Sequence, residues 1–377
     1  MKHAEICEGS TRLLVPPGFC EKGPGRNTGE VFYNRQMEFG RDVSVMLSRT
    51  LLDGRCRVLD GLAATGARGI RMANEGGSGA TFFLNDRNEE AFRLMEKNVE
   101  LNGLGSNMTV WCRDVRALLA EERFDYIDID PFGTPVDFID AAIQGCRNGG
   151  IVAVTATDTA PLCGTYPKTS SRRYGARSLR SNFSHETGLR ILIGYLAREA
   201  AKHDRGCEPL LCYSADHYLR CHVRISKGAK KADDSLGRLG YALYDPESLA
   251  REIVSERPTE GCAFAGPLWT GELHDGETLA ALTPTEDMGT KRRSEKMLGL
   301  WRGEVAAPPL HFVVDELAQR TRSEPPRMAT LIDRIREMGA MAVPTHFDSK
   351  GFKTDLPLED LIRLFAGTRG RGGATRN

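Results

Sequence analysis

The sequence lacks a net charge: 51 Lys and Arg stand against 51 Asp and Glu in 377 residues. A polyanionic partner would therefore be met by local patches rather than by a bulk field. Long apolar runs are also missing. The longest, Ile191–Ala197, falls far short of the roughly 20 residues that a membrane-spanning helix requires. Met1–Ser10 carries two acids and no apolar core, unlike a secretory signal. The expectation is a cytoplasmic protein with no membrane partner and no implied protein partner. Ten cysteines are scattered through the chain, but no two have CxxC spacing. Neither a zinc ribbon nor a thioredoxin-type redox site is signalled, and buried or idle thiols in a reducing compartment are expected. Cys212, His217, Cys221 and His222 superficially resemble metal ligands, yet Cys221 and His222 point to opposite faces of a strand. They are read as strand packing.

What is present is an alternation of strand-like and helix-like runs through the first two-thirds, the pattern of a parallel sheet with crossover helices. Strands are expected at Arg57–Asp60, Thr81–Asp86, Met108–Cys112, Phe124–Asp130 and Gly150–Thr155, and helices at Arg68–Glu75, Glu89–Leu101 and Pro135–Cys146. Leu210–Ile225 reads as two further strands, and the polar run Ser226–Gly237 as a linker. Arg238–Gly271 carries few strand or helix signals, amphipathic helices follow at Phe312–Arg320 and Met328–Met338, and the Gly/Arg tail from Gly367 reads as disordered. The length suits two domains, expected at 1–226 and 227–377.

Sheets of this kind bind ligands at the carboxyl ends of their strands, and four of the five strands place acids there. Asp60-Gly61, followed by Gly66 and Gly69, sits at a strand-to-helix turn where glycine lets backbone and ligand approach closely. This turn is not GxGxxG, and no Lys or Ser follows as in a phosphate-cradling loop, so nucleoside triphosphates are disfavoured. Asp86 ends the next strand, where a carboxylate can take both hydroxyls of a ribose. Asp114 is placed to accept from an adenine amino group, and the Val115 backbone can complete recognition of that ring. Ordered acids of this kind suit an adenosine without phosphates, and S-adenosyl-L-methionine fits because carboxylates favour its sulfonium cation.

Asp130-Pro131-Phe132-Gly133 corresponds to the (D/N)PP(Y/F) element of amino-group methyltransferases. An exocyclic amine on a base is a poor nucleophile, its lone pair being delocalised into the ring. The Asp130 carboxylate and the Pro131 carbonyl can grip both N–H groups and align that lone pair, while Phe132 stacks on the base. Ser170–Arg180 interleaves Arg172, Arg173, Arg177 and Arg180 with Tyr174, a candidate phosphate-and-stacking surface for RNA.

The runs VFYNRQMEFGRDVSV (Val31–Val45), DGLAATGARGIR (Asp60–Arg71), DIDPFGTPVDF (Asp128–Phe138) and TDTAPLCGTYP (Thr157–Pro167) resemble the tRNA (guanine(26)-N2)-dimethyltransferase family. GPLWTGEL (Gly266–Leu273) and THFDSKGFKTD (Thr345–Asp355) resemble that family's carboxyl-terminal domain. The resemblance implies an α/β fold, a Rossmann-like class I methyltransferase domain with a smaller α+β family-specific domain, and transfer of two methyl groups from S-adenosyl-L-methionine to one guanine amine of tRNA. It further implies that Arg41 and Arg71 contact the methionine end of the cofactor, that Asp130 is catalytic, and that Phe32 and Phe132 flank the base. Many family members carry two CxxC pairs in the second domain. Here the corresponding places read Tyr244-Asp245-Pro246-Glu247-Ser248 and a lone Cys262, so no zinc is expected. Another nucleic-acid amino-group methyltransferase, or an inactive tRNA-binding module, stand as alternatives.

Overall fold

The computed structural model describes residues 3–20, 31–77, 79–259 and 261–366. The tail from Gly367 lies outside the described residues. The chain forms two compact units that are not consecutive segments. The first takes Met1–Thr159, Leu196–Gly237 and His274–Leu298, and the second takes Ala160–Tyr195, Arg238–Leu273 and Gly299–Asn377. A single boundary after residue 226 does not describe this arrangement, because the chain passes between units five times.

In the first unit, a hairpin of β1 (Ala4–Glu8) and β2 (Thr11–Val15) precedes helix α1 (Glu38–Leu51). Then follow β3 (Arg57–Asp60), α2 (Ala67–Gly76), β4 (Thr81–Asn85), α3 (Glu89–Leu101), β5 (Met108–Trp111), α4 (Val115–Glu121), β6 (Phe124–Ile129), α5 (Val136–Gly145) and β7 (Cys146–Ala156). Strands β8 (Arg205–Ala215) and β9 (Tyr218–Lys227) complete a seven-stranded sheet of order β5-β4-β3-β6-β7-β9-β8. Five strands run parallel, and β9 and β8 add antiparallel. The order reverses at β3, where β4 lies on one side and β6 on the other, which opens a crevice at their carboxyl ends.

Local sequence explains these elements. Asn88 caps α3 by accepting from the Glu90 amide at 2.8 Å, and Glu89 and Glu90 favour the positive end of the helix dipole. Ala91, Leu94, Met95, Asn98 and Val99 form its buried stripe. Asn98 is fully buried and exchanges hydrogen bonds with the Leu14 backbone, which sews the hairpin to the helix. Strand β6 is buried at five of its six positions because helices cover both faces of a parallel sheet.

The Ser226–Gly237 run is not a linker. Ala229–Leu236 is helical, and its small residues Ala232 and Ser235 are buried, with the Ser235 hydroxyl accepting from the Cys207 amide at 3.0 Å. His274–Leu298 returns to this unit. Thr290 donates through its amide to Asp42 at 3.0 Å, and the Arg293 guanidinium lies 4.3 Å from the Phe39 ring centroid.

The second unit is α+β. Arg238–Gly271 holds three strands, Leu239–Tyr244, Arg251–Val254 and Phe264–Trp269, in an antiparallel sheet with the first of them central. Their short, irregular alternation hid them in the sequence. A second small sheet joins Phe312–Val313, Gly351–Thr354 and Ala342–Pro344, so the expected helix from Phe312 begins as a strand and turns helical at Val314. Leu317, Leu331, Ile335, Phe352, Leu361 and Phe365 form its core. Where the resemblance would place thiolates, Asp245 ties the turn, accepting from the Glu247 amide at 2.9 Å and the Ser248 hydroxyl at 2.6 Å. Cys262 is exposed, and among the described residues no cluster of three or more His, Cys, Asp or Glu is placed to hold a metal ion. No helix among them is long and apolar enough to cross a membrane.

Candidate active site

The principal cavity, about 930 Å³, lies in the first unit at the carboxyl ends of β3, β4 and β6. Asp60, Asp86, Asp114 and Asp130 all line it, together with Arg41, Val115, Phe32, Pro131 and Phe132. Two expected residues do not. Gly61 stands behind the wall, where a Cβ would lie 2.9 Å from Val115 Cγ2 and 3.0 Å from the Asp128 carbonyl oxygen. Arg71 is fully buried and acts on other side chains. It donates to Asp42 Oδ1 at 2.6 Å, to Glu75 Oε2 at 2.8 Å and to Glu8 Oε2 at 3.3 Å. It does not reach the cavity; it holds Glu8.

Glu8 in turn holds Arg41, accepting from its Nε at 2.7 Å and from Nη2 at 2.5 Å. Burial alone would raise the Glu8 carboxyl, but the Arg41 and Arg71 guanidiniums prevail and keep it below its ordinary range. Arg41 Nη1 has no partner among the described residues, which leaves a cavity-lining guanidinium with donors to spare.

The acids differ in setting. Asp60 is buried, accepts from the Gly69 amide at 3.0 Å, and is pushed up to about 7 by burial and by the neighbouring Asp128 charge. Gly69 is required there, since a Cβ would come within 2.3 Å of Leu84 Cδ2. Asp86 braces the turn, its two oxygens accepting from Ala64 N at 3.0 Å and Asn88 N at 2.9 Å. Asp114 caps α4 and is held down to about 2 by hydrogen bonds from Arg116.

Asp130 follows the last residue of β6. Arg68 Nη2 donates to its Oδ2 at 2.5 Å, while Oδ1 has no partner among the described residues. Arg68 is itself steadied by Ser44 Oγ at 2.8 Å and the Gly40 carbonyl at 3.2 Å, and its Nε lies 3.6 Å from Asp128 Oδ1. Behind it, Arg220 donates to both Asp128 oxygens and to Thr155 Oγ1 at 2.7 Å. These guanidiniums outweigh the burial that would raise Asp128, and hold it below its ordinary value. The turn after Asp130 is fixed by Thr157, whose hydroxyl accepts from Gly133 N at 2.7 Å and whose amide donates to Gly133 O at 3.0 Å.

Phe32 and Phe132 stand edge to face, 4.6 Å between centroids and 74° between planes. They touch each other and leave no slot between them, although Phe132 is 49% exposed and sits on a turn. The four arginines lie in the second unit. Arg172, Arg173, Arg177 and Arg180 are all exposed; the Arg177 guanidinium also lies 4.8 Å from the Phe264 ring centroid, and its backbone pairs with Gly266. Tyr174 is not available for stacking: it is fully buried against Tyr195. An exposed aromatic lies just before that stretch: Tyr166, 58% accessible, two residues before Lys168.

Sequence reasoning missed Arg68, Asp128, Arg220 and Glu8. The signal for Asp128 and Arg220 was charge inside otherwise buried strands, since such a charge persists only when paired. Asp128 also shares the strand period of two with Asp130.

The chain matches the family model described as N2,N2-dimethylguanosine tRNA methyltransferase over residues 21–366. It belongs to that family. A tRNA (guanine(26)-N(2))-dimethyltransferase of Methanoregula boonei is 40% identical over 375 residues, covering 96% of this chain and 98% of its own. One from Pyrococcus furiosus is 38% identical over 388 residues, covering 97% of this chain and 98% of its own. The solved structure of Trm1 from Pyrococcus horikoshii with S-adenosyl-L-methionine superimposes with a TM-score of 0.87 at 36% identity, covering 96% of this chain and 99% of that one. Membership of this family gives the first unit its description as a Rossmann-like methyltransferase fold.

Proposed function

We propose that the protein dimethylates the N2 amine of guanine 26 in tRNA, with S-adenosyl-L-methionine as methyl donor. The observation that carries this reading is the placement of Asp130, with Pro131 and Phe132, in the same cavity as the three ordered acids Asp60, Asp86 and Asp114. The residues present fit the donor. The volume of about 930 Å³ falls within the range of small-molecule sites. Arg41 has donors free for a carboxylate, and each Asp86 oxygen keeps a lone pair for ribose hydroxyls. Asp114 and the Val115 backbone face the adenine end. When bound, the donor supplies an electrophilic methyl on a positively charged sulfur.

The protein's own task is alignment. Asp130 Oδ1 accepts one N–H of the guanine amine and the Pro131 carbonyl the other, which turns the lone pair toward the methyl. An aryl amine proton becomes acidic only as the new N–C bond forms, so the carboxylate stabilises the growing positive charge and takes the N–H proton only after transfer, rather than removing it beforehand. Phe132 moves off Phe32 to admit the base and stacks on it. Arg172, Arg173, Arg177 and Arg180 contact tRNA phosphates, and the exposed Tyr166 takes the stacking part that the sequence assigned to Tyr174.

The test is nucleoside analysis by mass spectrometry after incubating unmodified tRNA with protein and methyl-labelled donor. Two labelled methyls on guanine 26, lost when that guanine is replaced by adenine, are expected. Label on an adenine or cytosine amine would assign the runner-up activity, and donor binding without any transfer would leave a tRNA-binding module.

A further inference from the structure

The cavity holds one buried cation that the reaction as described does not use. Arg68 sits on the second position of α2, 6% exposed, between α1 and the ends of β3 and β6. Each arm of its guanidinium has a separate task. Nη1 is fixed to α1 through Ser44 Oγ at 2.8 Å and Gly40 O at 3.2 Å, Nε faces Asp128 at 3.6 Å, and Nη2 reaches Asp130 Oδ2 at 2.5 Å. The Asp130 side chain is 22% exposed, so one of its oxygens meets the protein and the other the cavity.

We propose that Arg68 is a positioning residue for methyl transfer: by binding Asp130 Oδ2 it fixes the carboxylate plane and leaves Oδ1 as the single oxygen offered to the substrate amine. This rests on the reading of Asp130 as the group that receives that amine. The planar fork of a guanidinium sets direction as well as charge, which an ammonium cannot do. The arrangement also has an electrostatic part. The charged groups around Asp130 are Asp60 on β3, Asp128 on β6, Arg68 on α2 and Arg220 on β9. Three carboxylates face two guanidiniums, and Arg220 is committed to Asp128. Without Arg68, Asp130 would stand beside two other carboxylates with no cation of its own to balance its charge or fix its plane.

The experiment compares Arg68→Gln, Arg68→Lys and Ser44→Ala in the full chain, with kcat, KM for tRNA, donor affinity by calorimetry and the pH profile of kcat. Arg68→Gln is expected to lower kcat about 10- to 100-fold, with donor affinity and KM for tRNA changed by no more than about threefold. The acid limb of its profile moves to higher pH. Arg68→Lys keeps the charge but not the fork, so the limb returns toward its original position while only part of kcat is recovered. Ser44→Ala loosens the guanidinium without removing it, and is expected to lower kcat about two- to fivefold with an intact fold. It serves as the decisive variant should Arg68→Gln fail to fold.

Wild-type kcat and an unmoved acid limb in Arg68→Gln, or in Ser44→Ala as its substitute, would overturn the proposal. So would equal loss of donor affinity, tRNA affinity and kcat in both Arg68 variants, which is the mark of a purely structural residue. Asp130→Ala separates this proposal from the reading beneath it. An active Asp130→Ala enzyme would remove Asp130 from the reaction altogether, whereas an inactive one beside a fully active Arg68→Gln would remove only the role of Arg68.

Discussion

Both carboxylate oxygens of Glu186 are taken, whereas Asp130 keeps one of its two left over. In the second unit, Glu186 Oε1 accepts from Lys353 at 2.9 Å, Leu310 N at 3.0 Å and Arg190 at 3.1 Å. Its Oε2 accepts from His311 N at 3.2 Å, with His311 Nδ1 at 2.9 Å. Lys353 also lies 3.4 Å from Glu304, whose other oxygen accepts from His346 N at 2.7 Å. All four charged side chains are buried, and the Lys353 and Arg190 charges outweigh burial and hold Glu186 well below its ordinary range. In the first unit the same kinds of side chain leave Asp130 Oδ1 and Asp60 Oδ1 without partners among the described residues. A saturated cluster joins a helix to a small sheet. An unsaturated one, facing a cavity, leaves hydrogen-bond positions that a ligand can fill.

The comparison breaks most visibly at Asp130. Asp130→Ala should lower the methylation rate by roughly 100- to 1000-fold or more, with Asp130→Asn between it and wild type. Donor affinity measured by calorimetry should barely move in either. Glu186→Gln tests the other cluster. Breaking a buried ion network costs about 3–5 kcal/mol, so its urea unfolding midpoint should fall steeply, whereas Asp130→Ala should leave the midpoint near wild type. Replacing Arg172, Arg173 and Arg180 together by Ala should weaken tRNA binding about tenfold at low salt and reduce the slope of log affinity against log salt by about 2–3. Donor affinity should stay the same.

The smallest effect is on stability against pH. The Asp60 carboxyl, raised to about 7 by burial and Asp128, binds its proton more tightly folded than unfolded, where its value is about 3.9. Its contribution is therefore complete at low pH and is lost as pH rises through the window between those values. Asp60→Asn removes that loss. Without donor, its thermal midpoint should exceed wild type by a few degrees at pH 8 and match it near pH 4.

The alternation of strands and helices and four acids of the cavity were legible because each is written in contiguous residues. Val58–Asp60 and Phe82–Leu84 are buried on both faces and so appear as apolar runs ending in a polar turn. Asp245 and the strand Arg251–Val254 were not legible, since a turn tied by one carboxylate and a four-residue strand carry no period long enough to read. Arg71 was assigned to the cavity from a motif, but its neighbours Glu8 and Asp42 come from distant segments and turn it inward. The Ala229–Leu236 helix was lost to its polar composition, because only Ala232 and Ser235 show its buried side.

The order in which the first unit's pieces occur along the chain has a consequence for its synthesis. A ribosome delivers all nine strands of that unit's hairpin and sheet before it delivers Thr290 and Arg293. Until then the buried Asp42 lacks a donor for Oδ2, and Phe39 lacks the guanidinium that covers its ring. Shortening the gene from its 3′ end to any point before Leu298 therefore yields a methyltransferase unit missing its closing piece, however complete its cavity motifs are. The nascent catalytic unit stays unfinished, and open to chaperones and proteases, for more than three-quarters of the chain's translation.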